Sequence, residues 1–386
     1  MRPVKQAGVI STHVLDFFAP ISTAQGAVLV LLHVSREAFF FVSACMVTYA
    51  YMGLHRSGLR QFYWRRFVSV GVPYVCWTVI YFLFTLHASH YAGPRQALMA
   101  LRSLFEFSYY HLYFLLVIMQ FYLVFPLVLI ALRRTRRYHG LVIAAVAVVQ
   151  VLLATGMHWE WLPPGMQGLW AQREATTYVL YLIGGSVTAF HLDRVDAWLR
   201  RHAKLVVALT VLAAIVAEVP FYLSQWRITT ALGSTTDPFQ PSVIPFNIGA
   251  IACLYLAGTA LVRSGRTPPI VRMGSDNSYG VYLNHMLFIV GLYWLGWQHL
   301  TATIPWPLLC LITMPTVYLA AFTLTSLLAR TPLAVPLTGR TRVRLSRPAL
   351  VTTLARGLGP GPGRPGRAEH AGRAALRADR VCGAAG

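Results

Sequence analysis

YYHLYFLLVIMQFYLVFPLVLIAL, residues 109–132, carries no Asp, Glu, Lys or Arg and is followed at once by RRTRRYH, residues 133–139. An α-helix rises ~1.5 Å per residue, so ~20 apolar residues cross the ~30 Å hydrocarbon core of a bilayer. The stretch is therefore read as a spanning helix. The arginine cluster behind it is the kind of segment held on the cytoplasmic side.

Working outward with the same ruler gives ten candidate spans: 4–21, 38–54, 67–86, 109–132, 140–157, 176–192, 205–223, 243–262, 277–297 and 304–329. The apolar stretch 23–33 would make its neighbour longer than a bilayer is thick, so it is expected as a re-entrant or interfacial piece. Loop charge supports the count. Connections that a cytoplasmic N-terminus places inside carry 15 basic residues, among them Arg56, Arg60, Arg65, Arg66, Arg133, Arg134, Arg200 and Arg263. Arg2 and Lys5 raise this to 17, whereas the outer connections hold five: Arg36, Arg95, Arg102, Arg173 and Arg227. That alternation follows the positive-inside rule. The expected fold class is an all-α integral membrane protein of about ten transmembrane helices, multi-pass in the cell membrane, with both termini cytoplasmic.

Composition agrees. Of 386 residues, 56% are apolar and 12% charged, with a mean hydropathy of +0.55, whereas soluble domains carry about 25% charged residues. The net charge of +21 would suggest nucleic acid in a soluble chain. Here its distribution suggests anionic lipid at the inner loops and tail instead, with no nucleic-acid partner. Residues 1–330 form the expected membrane domain. Residues 331–386, with ten Arg against Glu369 and Asp379 and many Gly and Pro, are expected to be a disordered cytoplasmic tail. The five cysteines have no metal or disulfide spacing and are read as buried small hydrophobes. Arg2 and Lys5 lead into a segment broken by His13 and Asp16, without a cleavage site, so no signal sequence is expected. The motifs of P-loop ATPases, HExxH zinc enzymes and GxSxG hydrolases are missing.

Ionisable groups within a span cost about 2.5–3.5 kcal/mol each at mid-depth, so each is a functional candidate. His13 stands eleven positions after Arg2, hence ~16 Å deeper in the membrane. An arginine at the inner interface and an imidazole at mid-depth suit a substrate with cytoplasmic phosphates and a reactive end inside the bilayer. His13 is otherwise a core histidine satisfied by a neighbouring helix. Asp16, three residues on, shares its helix face; it either orients the imidazole or faces the outer interface. Arg65 and Arg66, in Phe62-Tyr63-Trp64-Arg65-Arg66, either grip phosphate bidentately or enforce topology. In Asn277–His285 the residues Tyr282, Asn284 and His285 are polar as a group, though each alone also serves as packing glue between helices.

Together these residues resemble the membrane acyltransferase-3 family of bacterial polysaccharide and antibiotic O-acyltransferases. The matching elements are Arg2-x10-His13, Phe39-Phe40-Phe41-Val42-Ser43, the basic run Phe62–Tyr74, His111-Leu112-Tyr113-Phe114-Leu115, and Tyr279–His285. The resemblance implies an O-acyltransferase that moves an acyl group, commonly acetyl, from cytoplasmic acyl-CoA to an acceptor hydroxyl. The acceptor class is a cell-envelope glycan, a lipid-linked sugar or a secondary metabolite. Acyl-CoA enters as donor substrate; no permanently bound cofactor and no metal are expected. By position, Arg2, His13 and Asp16 would be catalytic, with His13 as general base. Arg65, Arg66, Tyr63, Ser43, Tyr282 and His285 would contact the donor. Three departures stand out: the family's Arg-x-x-Arg reads Arg66-Phe67-Val68-Ser69, the Gly after the serine is Ala44, and the motif Trp is Tyr113. Arg56 or Arg60 are the candidates to replace the arginine lost at Ser69. A transporter or flippase, or a catalytically degenerate member of the fold, is the competing reading.

Overall fold

The computed structural model of the chain describes residues 2–20, 22–53, 58–86, 93–163, 166, 171–226, 239–265 and 269–340. Every regular element among them is helical, the arrangement that satisfies all backbone polar groups within lipid. The elements are α1 (Arg2–Phe18), α2 (Thr23–Leu32), α3 (Val34–Tyr51), α4 (Leu59–Arg66), α5 (Val72–Leu86), α6 (Pro94–Phe107), α7 (Tyr113–Arg134) and α8 (His139–His158). They continue with α9 (Val179–Phe190), α10 (Leu192–Arg201), α11 (Ala203–Gln225), α12 (Val243–Arg263), α13 (Pro269–Trp294), α14 (Trp306–Leu328) and α15 (Ala334–Thr338).

Among the described residues, seven helical stretches are long and apolar enough to cross a membrane: Thr23–Tyr51, Leu59–Leu86, Tyr110–Arg134, Arg136–His158, Ala203–Gln225, Val243–Arg263 and Trp306–Leu328. The other three expected spans fall on α1 and α9, whose apolar parts are shorter, and on α13, which carries the polar run Asn277–His285.

Three expectations change on folding. The stretch 23–33 is not a separate re-entrant piece. His33 keeps helical dihedrals and its N–H bonds back to the Leu29 carbonyl, so α2 runs into α3 as one 29-residue stretch, ~44 Å long at ~1.5 Å per residue. Arg36, counted with the outer connections, lies inside α3 and is 5% exposed. It forms a buried ion pair with Glu37, Nε to Oε1 at 3.0 Å, and its guanidinium covers the rings of Phe239 (4.6 Å) and Tyr178 (5.2 Å). Such pairing is how a charge survives in a low-dielectric interior. Third, the first residues assigned to the tail are ordered. In α15, Ala334 and Thr338 are buried, and the Leu337 carbonyl accepts a hydrogen bond from the Trp77 indole at 3.0 Å. Gly339 follows with φ 66°, a left-handed helix end, packed on Tyr279 and the Ser69 carbonyl. Residues 341–386 and Arg227 lie outside the described residues.

The bundle is built by close helix approach. α9 lies along α3, and a Cβ on Gly185 would overlap the Phe41 carbonyl oxygen. Small residues serve this purpose where lipid gives no hydrophobic drive to association. α13 and α14 pack together, and α1 seats on both. Val14, Phe40, Tyr81, Val117, Leu283 and Val317 close the core between them. None of the described cysteines forms a disulfide; Cys310 is buried, while Cys45, Cys76 and Cys253 are half-buried rather than core residues.

Candidate functional site

Where α1, the start of α7 and α13 meet, three imidazoles converge. His111 and His285 have ring centroids 4.6 Å apart, His13 and His285 5.7 Å, and His13 and His111 6.4 Å. His285 and His111 are 0% and 1% exposed, and the His13 side chain is 19% exposed. The cluster is thus buried, with His13 its most exposed member.

Each ring reaches its place by a local device. His13 sits on the face of α1 turned to α13 and α14, with Ile10, Val14 and Leu15 buried around it. His111 follows a constrained turn: Ser108 and Tyr110 both have positive φ (61° and 34°), costly for residues with a side chain. Arg173 donates to the Phe107 carbonyl, Tyr74 to the Phe105 carbonyl at 2.9 Å, and Tyr282 to the carbonyl of His111 itself. Tyr81 packs edge-on to the His111 ring at 5.6 Å. On α13 the His285 Nδ1 hydrogen-bonds the Tyr282 carbonyl at 2.7 Å.

The expected site residues divide accordingly. Asp16 lies 3.8 Å from His13 Nδ1, ion-pair range without a direct hydrogen bond, and is 44% exposed. Tyr282 and His285, expected at the donor, belong to the histidine cluster. Ser43 is half-buried on α3. Arg2 lies in the first turn of α1.

Arg65 and Arg66 end α4, ahead of a π-helical turn, Phe67–Gly71, a distortion common at functional positions. Arg65 points outward, whereas the Arg66 guanidinium covers Tyr51 (5.0 Å) and Tyr122 (5.6 Å), with its Nε buried and without a hydrogen-bond partner among the described residues. Tyr63 donates to the Leu123 carbonyl at 2.9 Å. Ser69 Oγ donates to the Arg66 carbonyl at 3.2 Å. From this region a line of rings climbs α13 toward the histidines: Tyr279 stacks on Tyr282 at 6.4 Å, and Tyr282 lies 6.1 Å from His285.

His111 is the residue that sequence reasoning passed over. It stands in His111-Leu112-Tyr113-Phe114-Leu115, one of the elements of the family resemblance, at the start of a span where nothing in the local sequence marks it for burial. The turn at Ser108–Tyr110 buries it. Among the described residues no three His, Cys, Asp or Glu side chains converge as metal ligands.

A helical membrane bundle with a basic, aromatic-lined end and a buried imidazole cluster defines a class: a polytopic membrane protein with acid–base groups buried among its helices. The sequence model of the acyltransferase-3 family, described as an acyltransferase domain, matches residues 7–325. The chain belongs to that family and is a membrane acyltransferase. Comparisons with curated proteins and with solved structures returned no match.

Proposed function

We propose that this protein is an O-acyltransferase of the cell membrane, transferring an acyl group, acetyl in the simplest case, from cytoplasmic acyl-CoA to an acceptor hydroxyl. The acceptor is a cell-envelope glycan, a lipid-linked sugar or a secondary metabolite. The observation that carries the reading is the convergence of His13, His111 and His285 inside the domain that the family match covers. Ten crossings with both termini cytoplasmic put Arg2, Arg65 and Arg66 on the acyl-CoA side. Arg66 meets the CoA phosphates there, with Tyr63 and Ser43 beside the donor path, and the Tyr279–Tyr282 line leads the acyl arm toward the histidines. Anionic lipid holds the basic loops and tail.

In this mechanism His13 takes the proton of the acceptor hydroxyl as its oxygen attacks the thioester carbonyl. The carbon–sulfur bond then breaks and its electron pair leaves on sulfur. One proton moves from the hydroxyl to the thiolate, giving ester and free CoA thiol. Asp16 supports the imidazole at ion-pair range, and Arg2 closes the donor site at the start of α1.

The test is acceptor acylation, or thiol release from acetyl-CoA, by the full chain in liposomes, with His13→Ala alongside. A loss of about 10²–10⁴-fold is expected for a general base. Retained turnover in a correctly inserted variant removes His13 from the chemistry. Absence of any binding to acyl-CoA across chain lengths turns the reading toward transport.

A further inference from the structure

We infer that His111 is a second proton-carrying group of this site, and that His285 is the residue that positions it. The inference rests on the acyl-transfer reading above and extends it.

The argument begins with a tautomer. The Tyr282 carbonyl oxygen can only accept, so His285 Nδ1, at 2.7 Å, carries the hydrogen. In the neutral ring the lone pair then lies on Nε2. That atom is buried and without a hydrogen-bond partner among the described residues. It needs a donor, and the hydroxyls around it are committed: Tyr81 donates to the Leu283 carbonyl at 2.8 Å, and Tyr282 to the His111 carbonyl. A phenol has one hydrogen to give. His111 lies 4.6 Å away by centroid and edge-on at 65°; its ring borders the backbone of Leu283 and Tyr282, yet neither ring nitrogen makes a geometrically sound hydrogen bond among the described residues, which leaves an N–H to turn toward His285. His13 is farther, and its Nδ1 faces Asp16.

A His111 N–H turned to His285 leaves the other His111 nitrogen as a lone pair facing the site. This is the relation of a catalytic base to its orienting acceptor, with imidazole in place of a carboxylate. The backbone holds this ring in place. Two non-glycine residues with positive φ, held by three hydrogen bonds to the carbonyls of Phe105, Phe107 and His111, fix the turn that carries this ring.

The proton then has a complete route. His13 receives it from the hydroxyl, and His111 takes it from His13 on its free nitrogen while keeping its other N–H on His285. It gives the proton to the sulfur as the carbon–sulfur bond breaks, and each imidazole returns to its starting state. No oxidant, reductant or further reactant is needed.

Thiol release from acetyl-CoA by the full-length protein in liposomes tests this through a double-mutant cycle. His111→Ala lowers kcat by about 10²-fold, and His285→Leu lowers kcat at unchanged KM and changes the pH profile in the same way as His111→Ala. The double variant is no slower than His111→Ala alone, because His285 acts only through His111. His285→Gln restores part of the rate: its amide donates to Tyr282 and its oxygen accepts from His111. Additive losses, or a His285→Leu enzyme as fast as wild type while His13→Ala is inactive, overturn the proposal and leave the acyl-transfer reading standing. If wild type releases no thiol, that reading fails instead, and nitrogen NMR of histidine-labelled protein decides the present one. It expects hydrogen on His285 Nδ1 and an acceptor-type Nε2 signal that changes in His111→Ala. Hydrogen on Nε2, or no response to His111→Ala, rejects it.

Discussion

At the scale of single residues, Arg65 and Arg66 are adjacent in sequence and unlike in structure. Arg65 is exposed, while Arg66 lies over Tyr51 and Tyr122 with a buried Nε that has no hydrogen-bond partner among the described residues. A buried donor left unsatisfied is an expense that an anionic ligand removes. Arg66→Ala is therefore expected to raise the KM for acyl-CoA by about tenfold or more, matching the ~1.5–3 kcal/mol of a charged hydrogen bond, and Arg65→Ala by much less. Steady-state thiol release over a range of donor concentrations checks it; equal effects would show that the two act only through net charge. Much of the candidate site was legible at this scale, because His13 and Asp16 are expensive in a span and therefore conspicuous. Arg36 and Glu37 were equally expensive but went unread. Counting loop charges placed Arg36 in a connection, and only the continuity of α2 with α3 shows that the pair is buried. Breaking a buried pair by removing one member costs about 3–5 kcal/mol, whereas apolar replacement of both is often neutral. Thermal unfolding of detergent-solubilised protein should show Glu37→Leu strongly destabilised and Arg36→Met/Glu37→Leu largely recovered.

Among the elements, those with a strong apolar run were readable and those set by tertiary contact were not. The spans at 109–132, 205–223 and 304–329 reappear as α7, α11 and α14, since twenty apolar residues leave few alternatives. α10 is different. Its ten residues alternate Arg and Asp with Val, Trp and Leu, and its place is set by Asp196, which binds Arg200 (2.7 Å), Arg263 (2.8 Å) and Tyr255 (3.0 Å). Desolvation pushes the Asp196 carboxyl up, but the hydrogen bonds from Arg263 and Tyr255 and the charges of Arg200 and Arg263 outweigh it. The group is held below its ordinary 3.8. A carboxyl with a depressed folded value stabilises the fold above its unfolded value and loses that contribution as pH falls through the folded one. The contribution of Asp196 to the docking of α10 on α12 should hence be constant from neutrality down to about 4 and be lost below it. Hydrogen exchange of residues 192–201 across that range measures the change, and Asp196→Asn should abolish it.

For the whole molecule, the question is where the folded domain ends. Composition placed the boundary at 330, because Arg, Gly and Pro accumulate beyond it and no apolar period is visible. Five-residue α15 has too few positions to show a period; its burial comes from partners that are distant in sequence. Trp77 holds the Leu337 carbonyl, Arg340 donates to the Asp276 carbonyl, and Gly339 fits against Tyr279 and Ser69. Those contacts clasp α5 and α13, the helices beside Arg66 and the histidine cluster. A chain truncated after Arg340 should therefore keep wild-type thermal stability and acyl-CoA turnover. One truncated after Arg330 exposes the Trp77 indole and the surfaces beneath Ala334 and Thr338, and each hydrogen bond lost there costs about 0.5–1.5 kcal/mol. It should unfold at lower temperature and bind acyl-CoA more weakly, because the π-helical turn after Arg66 loses its neighbour at Ser69. Equal stability of the two truncations would return the boundary to 330 and make α15 a passive end. A loss on cutting at 340 would move it beyond the described residues.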